Sequence, residues 1–492
     1  MNQPGRLPVR IHDPRIQELS TDSAGSAGWL RLPDGSVRLT ADPLGTQPFC
    51  WRFLGNTLHL ACFPGDLARL EPYPPVNLPV VRGLLRHVYP DDGASHFSGV
   101  RRVVAGHQVR VSMSGEGTES RWWQLPPEPA GHTAPQLWDS LVKQCDTMIG
   151  SRQSAVLLSG GLDSSGVAAA AGAAARASGA PPPFLASIVY PGNRANEDEW
   201  QQAVADHLGL ERITIDPMNQ SVWPGAQAVI EERLSPFVDM QSAAMRQLFA
   251  ALEHRGCSVV LNGLGGDVLF RGVGLELSLA RRGNLAGIHR HFAGLAEAMP
   301  VSIPRLWWSS VVRPLLTRHR SPGMSDEEIA AAGSSVRSLL VHVLKQSAFG
   351  WLFETVIQAA AGDRFLLESP FYGAGFLAEF ARVSEREYLA SRSHKGILRE
   401  LIRPHLPASV VDRRPKVNFR EYHRTWVSRE RESLVRRYRE LRSEGLPDLG
   451  GPADLASSLV TDGSTPGFVL PWLALCGLEF LSVSASRGHA MA

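Results

Sequence analysis

One stretch restricts the fold more than any other. Val156-Leu-Leu-Ser159-Gly160-Gly161-Leu162-Asp163-Ser164-Ser165 carries an apolar strand straight into a Gly-Gly turn and on into an alanine-rich segment. A strand with no polar alternation must be covered on both faces, which is the environment of a parallel sheet. The pattern repeats. Strands are expected at Ala155 to Leu158, Phe184 to Val189, Arg212 to Ile215 and Ser258 to Leu261, alternating with helices at about Ser164 to Ala177, Glu197 to Leu208 and Ala243 to His254. Strand-helix-strand units of this length predict an α/β, doubly wound parallel sheet.

The front of the chain reads differently. Gly28-Trp-Leu-Arg-Leu, Phe49-Cys-Trp-Arg-Phe, Leu58-His-Leu-Ala-Cys and Gln108-Val-Arg-Val-Ser are short apolar runs separated by Asp-Gly and Gly-Asn turn signals. Such spacing predicts hairpins and a β-rich region. Leu125-Pro-Pro-Glu-Pro-Ala-Gly is the clearest punctuation, so the expected division is residues 1–130 and 131–492. Beyond about residue 275 the pattern is helical, with Ser325-Asp-Glu-Glu328 a capping box and Arg424 to Arg442 a solvated helix.

Composition then excludes whole classes. Fifty basic against 48 acidic side chains give +2, so no chain-wide field holds nucleic acid or an anionic membrane. The apolar share of 43% and charged share of 20% suit a chain with real cores. Five scattered cysteines (Cys50, Cys62, Cys145, Cys257, Cys476) without CxxC spacing point away from disulfides and zinc and toward a reducing compartment. No secretory n-region opens the sequence, and Phe468 to Val483 is shorter than a membrane span and contains Pro471 and Glu479. The expectation is a soluble cytoplasmic protein with no membrane span and no nucleic-acid partner.

The Gly-Gly turn has a chemical reading. Glycines permit close backbone approach, and free amides at a helix N-terminus with Ser hydroxyls beside them cradle phosphate. An Asp there would repel its ligand unless a cation intervened, so Asp163 implies Mg²⁺ bridged to phosphate oxygens. Asn262-Gly-Leu-Gly-Gly-Asp267 repeats the design after the Ser258 to Leu261 strand. In an open α/β sheet both acids would project at the strands' carboxyl ends and share one Mg²⁺·ATP.

These strings resemble the adenylating ATP enzymes typified by asparagine synthetase, whose pyrophosphate-splitting PP-loop Ser159-Gly-Gly-Leu-Asp-Ser164 matches. No Gly-Lys-Ser/Thr occurs, so this is not a Walker loop. Ser369-Pro-Phe, Lys395-Gly-Ile-Leu-Arg399 and Arg413-Arg-Pro-Lys416-Val-Asn-Phe419 are similar to later motifs of that family, and the likeness covers roughly residues 140–485. The resemblance implies ATP and Mg²⁺, with Asp163 and Asp267 as metal ligands. It implies nucleotide contacts from Leu158, Ser159, Gly160, Gly161, Asp163, Ser164, Ile188, Asn262 and Gly263, and a catalytic Lys416 that steadies charge on the α-phosphorus. Lys395 is as readily a helix-face lysine as a site residue.

Asp42-Pro-Leu-Gly-Thr-Gln-Pro48, Gly99-Val-Arg-Arg-Val with Ala105-Gly-His107, and Arg121-Trp-Trp resemble parts of the glutaminase domain of asparagine synthetase. That Ntn-type domain uses a cysteine at position 2, where this sequence has Asn, so the resemblance implies a degenerate domain without glutaminase chemistry. Asparagine synthetases carry Glu, and β-lactam synthetases Tyr, at the place of Leu264. Deprotonation of the amine then falls to another group, such as Glu354, Asp363 or Glu368. Taken together the chain looks like a lasso-peptide cyclase, a macrolactam synthetase. That likeness implies adenylation of an Asp or Glu side chain of a ribosomal precursor peptide and attack by its N-terminal amine, with a leader-binding element and a cysteine protease as partners. The alternatives are an ammonia-dependent asparagine synthetase or small-molecule lactam synthetase, and, from another class, a nucleotide-sensing scaffold without catalysis.

Overall fold

The computed structural model describes residues 6–19, 27–124, 134–272, 275–298, 301–313, 335–344, 348–359, 365–390, 393–413, 420–452 and 466–492. The front of the chain supplies strands β1 (Val9–Ile11), β2 (Gly28–Arg31), β3 (Val37–Thr40), β4 (Cys50–Leu54), β5 (Thr57–Ala61), β6 (Arg101–Arg102), β7 (His107–Val111) and β8 (Gly117–Arg121). They form two four-stranded sheets, ordered β1-β5-β4-β6 and β2-β3-β7-β8. Only the β1–β5 pair is parallel among these. The β4–β5 hairpin turns on Gly55 and Asn56 at φ 53 and 63, the pair of positive values a type I′ turn uses to match strand twist. Trp29, Leu39 and Val109 from one sheet and Trp51, Leu58 and Leu60 from the other share a single buried cluster. Alternation along each strand therefore places its apolar side between the sheets, as the β-rich reading of this region expects.

Five further strands, β9 (Ser154–Leu157), β10 (Phe184–Ile188), β11 (Arg212–Ile215), β12 (Val259–Leu261) and β13 (Leu366–Glu368), make an all-parallel sheet ordered β11-β10-β9-β12-β13. The chain runs outward from β9 to β11, then crosses to β12 on the other side of β9. The carboxyl ends of β9 and β12 thus flank the point where strand order reverses, where open α/β sheets bind ligands. The Leu162–Ser178 helix lies against this sheet and the Ala134–Ile149 helix. Its run Ala168–Ala171 is buried, because alanine lets helix and strand backbones come close on every side. All seven strands and helices expected between residues 155 and 261 occur, each within two residues of its expected bounds. The three-residue β13 and the Ala134–Ile149 and Val222–Arg233 helices were not foreseen.

The two regions pack as one body. Ala155, Ala186, Val260 and Leu367 of the parallel sheet belong to the same core as Trp51 and Leu60. A second core joins Val76, Val81 and Leu85 to Trp426, Trp472 and Phe480. Val76 and Leu78 donate backbone hydrogen bonds to Ala490 and Ala492, at 2.7 and 2.9 Å.

Two expectations need correction. The Arg420–Ser443 helix is not solvated all round: Tyr422, Trp426, Val427, Leu434, Tyr438 and Leu441 are buried. Its Glu430 is buried too, accepting the N–H groups of Val222 at 2.7 Å and Trp223 at 3.0 Å. A carboxylate from one helix so caps the positive end of another. The late apolar segment is longer than expected, a helix over Pro466–Ser486, and Val469–Ser486 is long and apolar enough to cross a membrane. It is instead 67% buried within the protein, and its Glu479 accepts 2.7 and 2.9 Å bonds from Arg437. The Pro-rich segment at the expected boundary, the Ser325–Glu328 capping box, Asp363 and Lys416 lie outside the described residues.

Candidate active site

β9 ends at Leu157, and the chain turns through Gly160 at φ 79 into the helix beginning at Leu162, with Gly161 as N-cap. Ser164 closes this turn. Its Oγ accepts the Ser159 N–H at 3.1 Å and lies 3.1 Å from Ser159 Oγ. Leu158 is fixed from both sides, its N–H on Ala186 O at 2.8 Å and its carbonyl accepting from Ser187 Oγ at 3.0 Å.

The second glycine-rich turn is built against the first. Asn262 Oδ1 accepts the Leu264 N–H at 2.9 Å and Ser369 Oγ at 2.8 Å, which explains what Ser369-Pro-Phe does here. A Cβ on Gly263 would lie 2.6 Å from Ser164 N, and one on Gly266 2.2 Å from Asp163 Oδ1. Gly265, at φ 99, sits under the Tyr372 ring. At Gly263 and Gly266 it is contact between the two turns that demands glycine, whereas Gly265 needs it for its backbone angle as well.

Asp163 and Asp267 come together, and between them lies Lys395. Its ammonium bonds Asp163 Oδ2 and stands 2.8 Å from Asp267 Oδ1. Lys395 is buried, in the left-handed region at φ 54, and caps the Gly396–Ile402 helix. Two carboxylates against one ammonium leave the trio negative. Asp163 is mostly covered at 16% side-chain exposure while Asp267 opens to solvent at 55%. Burial, then the Lys395 charge, pushes the His394 imidazole down to about 4. Burial, helped by Asp267 and Asp163, raises the Tyr372 phenol well above its ordinary range.

The residues fit a divalent cation. Both carboxylates already converge on one positive group, and Asp267 opens to solvent. Among the described residues no group of three or more His, Cys, Asp or Glu comes together. Two protein ligands with the rest from water and phosphate is the usual coordination of Mg²⁺.

Beside the loop a mostly apolar cleft of about 150 Å³ is lined by Leu158, Ser159, Ala186, Ile188, Met245 and Leu248. Leu158, Ser159 and Ile188 are thus brought together, whereas Asn262 and Gly263 stand at the aspartates. A polar cavity of about 300 Å³ between the front sheets and β13 contains Asp42, Gln47, Arg152, Glu368 and Tyr372. Burial and the Asp42 charge raise the Glu368 carboxyl to about 7, a value suited to proton transfer. Glu354 is instead paired with Arg102 at 2.5 Å.

Sequence reasoning passed over Glu197 and the side chain of Arg413. Arg413 Nη1 donates to Gly160 O at 2.8 Å, Nη2 pairs with Glu197, and the guanidinium lies 3.9 Å over the Trp200 ring. Arg399 Nη2 in turn donates to Arg413 O at 3.0 Å. Arg413 stood inside a quoted motif, but nothing local signals its partners.

A glycine turn opening a helix, two acids around an ammonium and an apolar cleft alongside lie together at the carboxyl ends of the parallel strands. The family model for asparagine synthase matches residues 137–450, well over half the chain, and the protein belongs to that family. Its members are ATP-dependent ligases. No curated protein matches the chain.

Proposed function

We propose that this protein is an ATP-dependent macrolactam synthetase of the lasso-peptide type. The observation that carries the reading is an intact carboxylate pair beside Leu264: the site keeps what activation of an acid needs, while an apolar side chain stands where the family places an amine-activating group. The front region, proposed to end near residue 130 and to be a degenerate glutaminase-like domain, supplies no thiol chemistry. All five cysteines are free and buried, and burial raises the Cys50 and Cys62 thiols far from thiolate formation. Free cysteines also support a cytoplasmic setting.

In the proposed reaction an Asp or Glu side chain of a ribosomal precursor peptide attacks the α-phosphorus of ATP, giving an acyl-adenylate and pyrophosphate. The peptide's N-terminal amine then attacks the acyl carbon, forming the amide and releasing AMP. Asp163 and Asp267 would hold Mg²⁺, which supplies charge neutralisation on the phosphate oxygens. Loop amides around Gly161 bind phosphate, the cleft at Ile188 takes the base, and Lys416 steadies charge on the α-phosphorus as the resemblance implies. Glu368, at a value near neutrality, is the acceptor for the amine proton. Holding both ends of one peptide supplies the orientation term. A leader-binding element and a cysteine protease complete the proposed set of partners.

The test is mass spectrometry of a precursor incubated with the protein, its protease partner, Mg²⁺ and ATP, beside D163A. A core peptide lighter by one water, with AMP and pyrophosphate, is expected from the wild type alone. Amide formation from aspartate and ammonium, with linear core peptide left unchanged, would replace this reading with the asparagine synthetase alternative.

A further inference from the structure

Arg413 and Glu197 lie 216 residues apart in sequence yet pair beside the phosphate loop, with 7% and 4% of their side chains exposed. Burying two charges is costly unless the geometry is good and further hydrogen bonds complete it. Here the fork is used in full: one arm takes the Glu197 carboxylate, the other the Gly160 carbonyl at 2.8 Å, and the face stacks 3.9 Å over Trp200. Gly160 is also wedged from below, since a Cβ there would lie 3.3 Å from both Glu197 and Gln201.

The carbonyl that Arg413 grips belongs to the Gly160–Gly161 peptide. A trans peptide is planar, and its C=O and N–H point to opposite sides. Fixing the Gly160 oxygen therefore fixes the direction of the Gly161 N–H. That N–H makes only a long 3.4 Å contact, to Ser159 Oγ, weak enough for a better acceptor to replace it. Between two glycines the peptide plane would otherwise rotate at little cost.

We infer that Arg413, held by Glu197 and Trp200, is a positioning residue that orients the Gly160–Gly161 peptide so that the Gly161 N–H faces the bound phosphate. The inference rests on the phosphate-loop reading above and is independent of which acid and amine are joined. Charge alone does not suffice, because a lysine cannot hold carboxylate and carbonyl in one plane.

Titration calorimetry of the full chain with Mg²⁺·ATP and, separately, with adenosine tests this. R413A should weaken ATP binding roughly tenfold, the worth of one well-placed hydrogen bond, and leave adenosine binding unchanged. Low-millimolar guanidinium should restore ATP binding to R413A and change neither the wild type nor D163A. R413K, which keeps the charge and guards against loss of fold, should lie between. Equal losses for ATP and adenosine, or unchanged ATP affinity in R413A and R413K, would overturn the assignment. Wild-type protein that binds ATP but forms no amide would remove the peptide reading and leave this one standing on the binding data.

Discussion

Two buried charge clusters in this molecule look alike and are built on opposite terms. Arg102 and Glu354 form a 2.5 Å pair, both well covered, with the guanidinium 3.9 Å over Trp351. One positive and one negative group cancel, and aromatic packing encloses them. At Asp163, Asp267 and Lys395 two carboxylates share one ammonium, and Asp267 remains open to solvent. A balanced, enclosed pair joins the front of the chain to the rear. The other stays open to solvent through Asp267, and that access is what distinguishes a candidate site from a strut.

Removing one charged side chain from each cluster tells the two apart. D163A should cut ATP-dependent pyrophosphate release on the order of 10³-fold, as loss of transition-state charge stabilisation does, with little change in unfolding midpoint. If D163A keeps full turnover, the open cluster is no site. R102M should do the reverse. Leaving Glu354 buried without its partner costs about 3–5 kcal/mol, read from urea unfolding, while turnover per folded molecule stays near wild type. Replacing both, as R102M with E354L, should recover most of that loss.

Lys395 gives a finer reading. K395M should lower the Mg²⁺ concentration for half-maximal binding roughly threefold, because the ammonium competes for the same oxygens, by about as much as one partly exposed ion pair is worth. An unchanged Mg²⁺ requirement would place the ammonium outside the cation site.

A smaller effect is expected from Glu368. Its folded-state value near 7 lies above the ordinary 4.5, so between these values the folded protein binds more protons than the unfolded chain. By linkage this group's contribution falls as pH rises from about 4.5 to 7 and then levels off. E368Q should therefore be relatively more stable than wild type at pH 8, with the advantage gone below pH ~4.5. Parallel stability–pH curves for the two proteins would remove the buried-carboxyl account.

What could be read from the sequence was what is written locally. Buried parallel strands are short apolar runs, and a phosphate turn spells its glycines and its acid in a row, so β9 to β12, Asp163 and Asp267 were legible. The partnerships were not. Lys395 reaches Asp163 across 232 residues, and Arg413 reaches Glu197 across 216. No periodicity encodes such pairings, because they are set by how the sheet's loops converge. The Arg420–Ser443 helix misled for a related reason: its charged residues dominate the composition, while Tyr422, Trp426 and Leu434 face the core. β13 is as short as β12, but its Leu366-Leu-Glu run ends on a charge and no glycine-rich turn follows it to mark the strand's end.

The pairing of residues 76–78 with 490–492 bears on how the protein comes into being. His489 also bonds the Pro74 carbonyl at 2.8 Å, across 415 residues. On the ribosome, residues 74–85 emerge long before these partners exist, and domains that fold as they are made rely on contacts already synthesised. Here the second core waits on Trp472 and Phe480, so final assembly follows synthesis of nearly the whole chain. Closing so long a loop slows folding more than it alters final stability. The protein's vulnerable moment is thus during its making, when Val76, Val81 and Leu85 stand uncovered, and chaperone demand should fall if a permuted gene brought residues 466–492 ahead of residue 74.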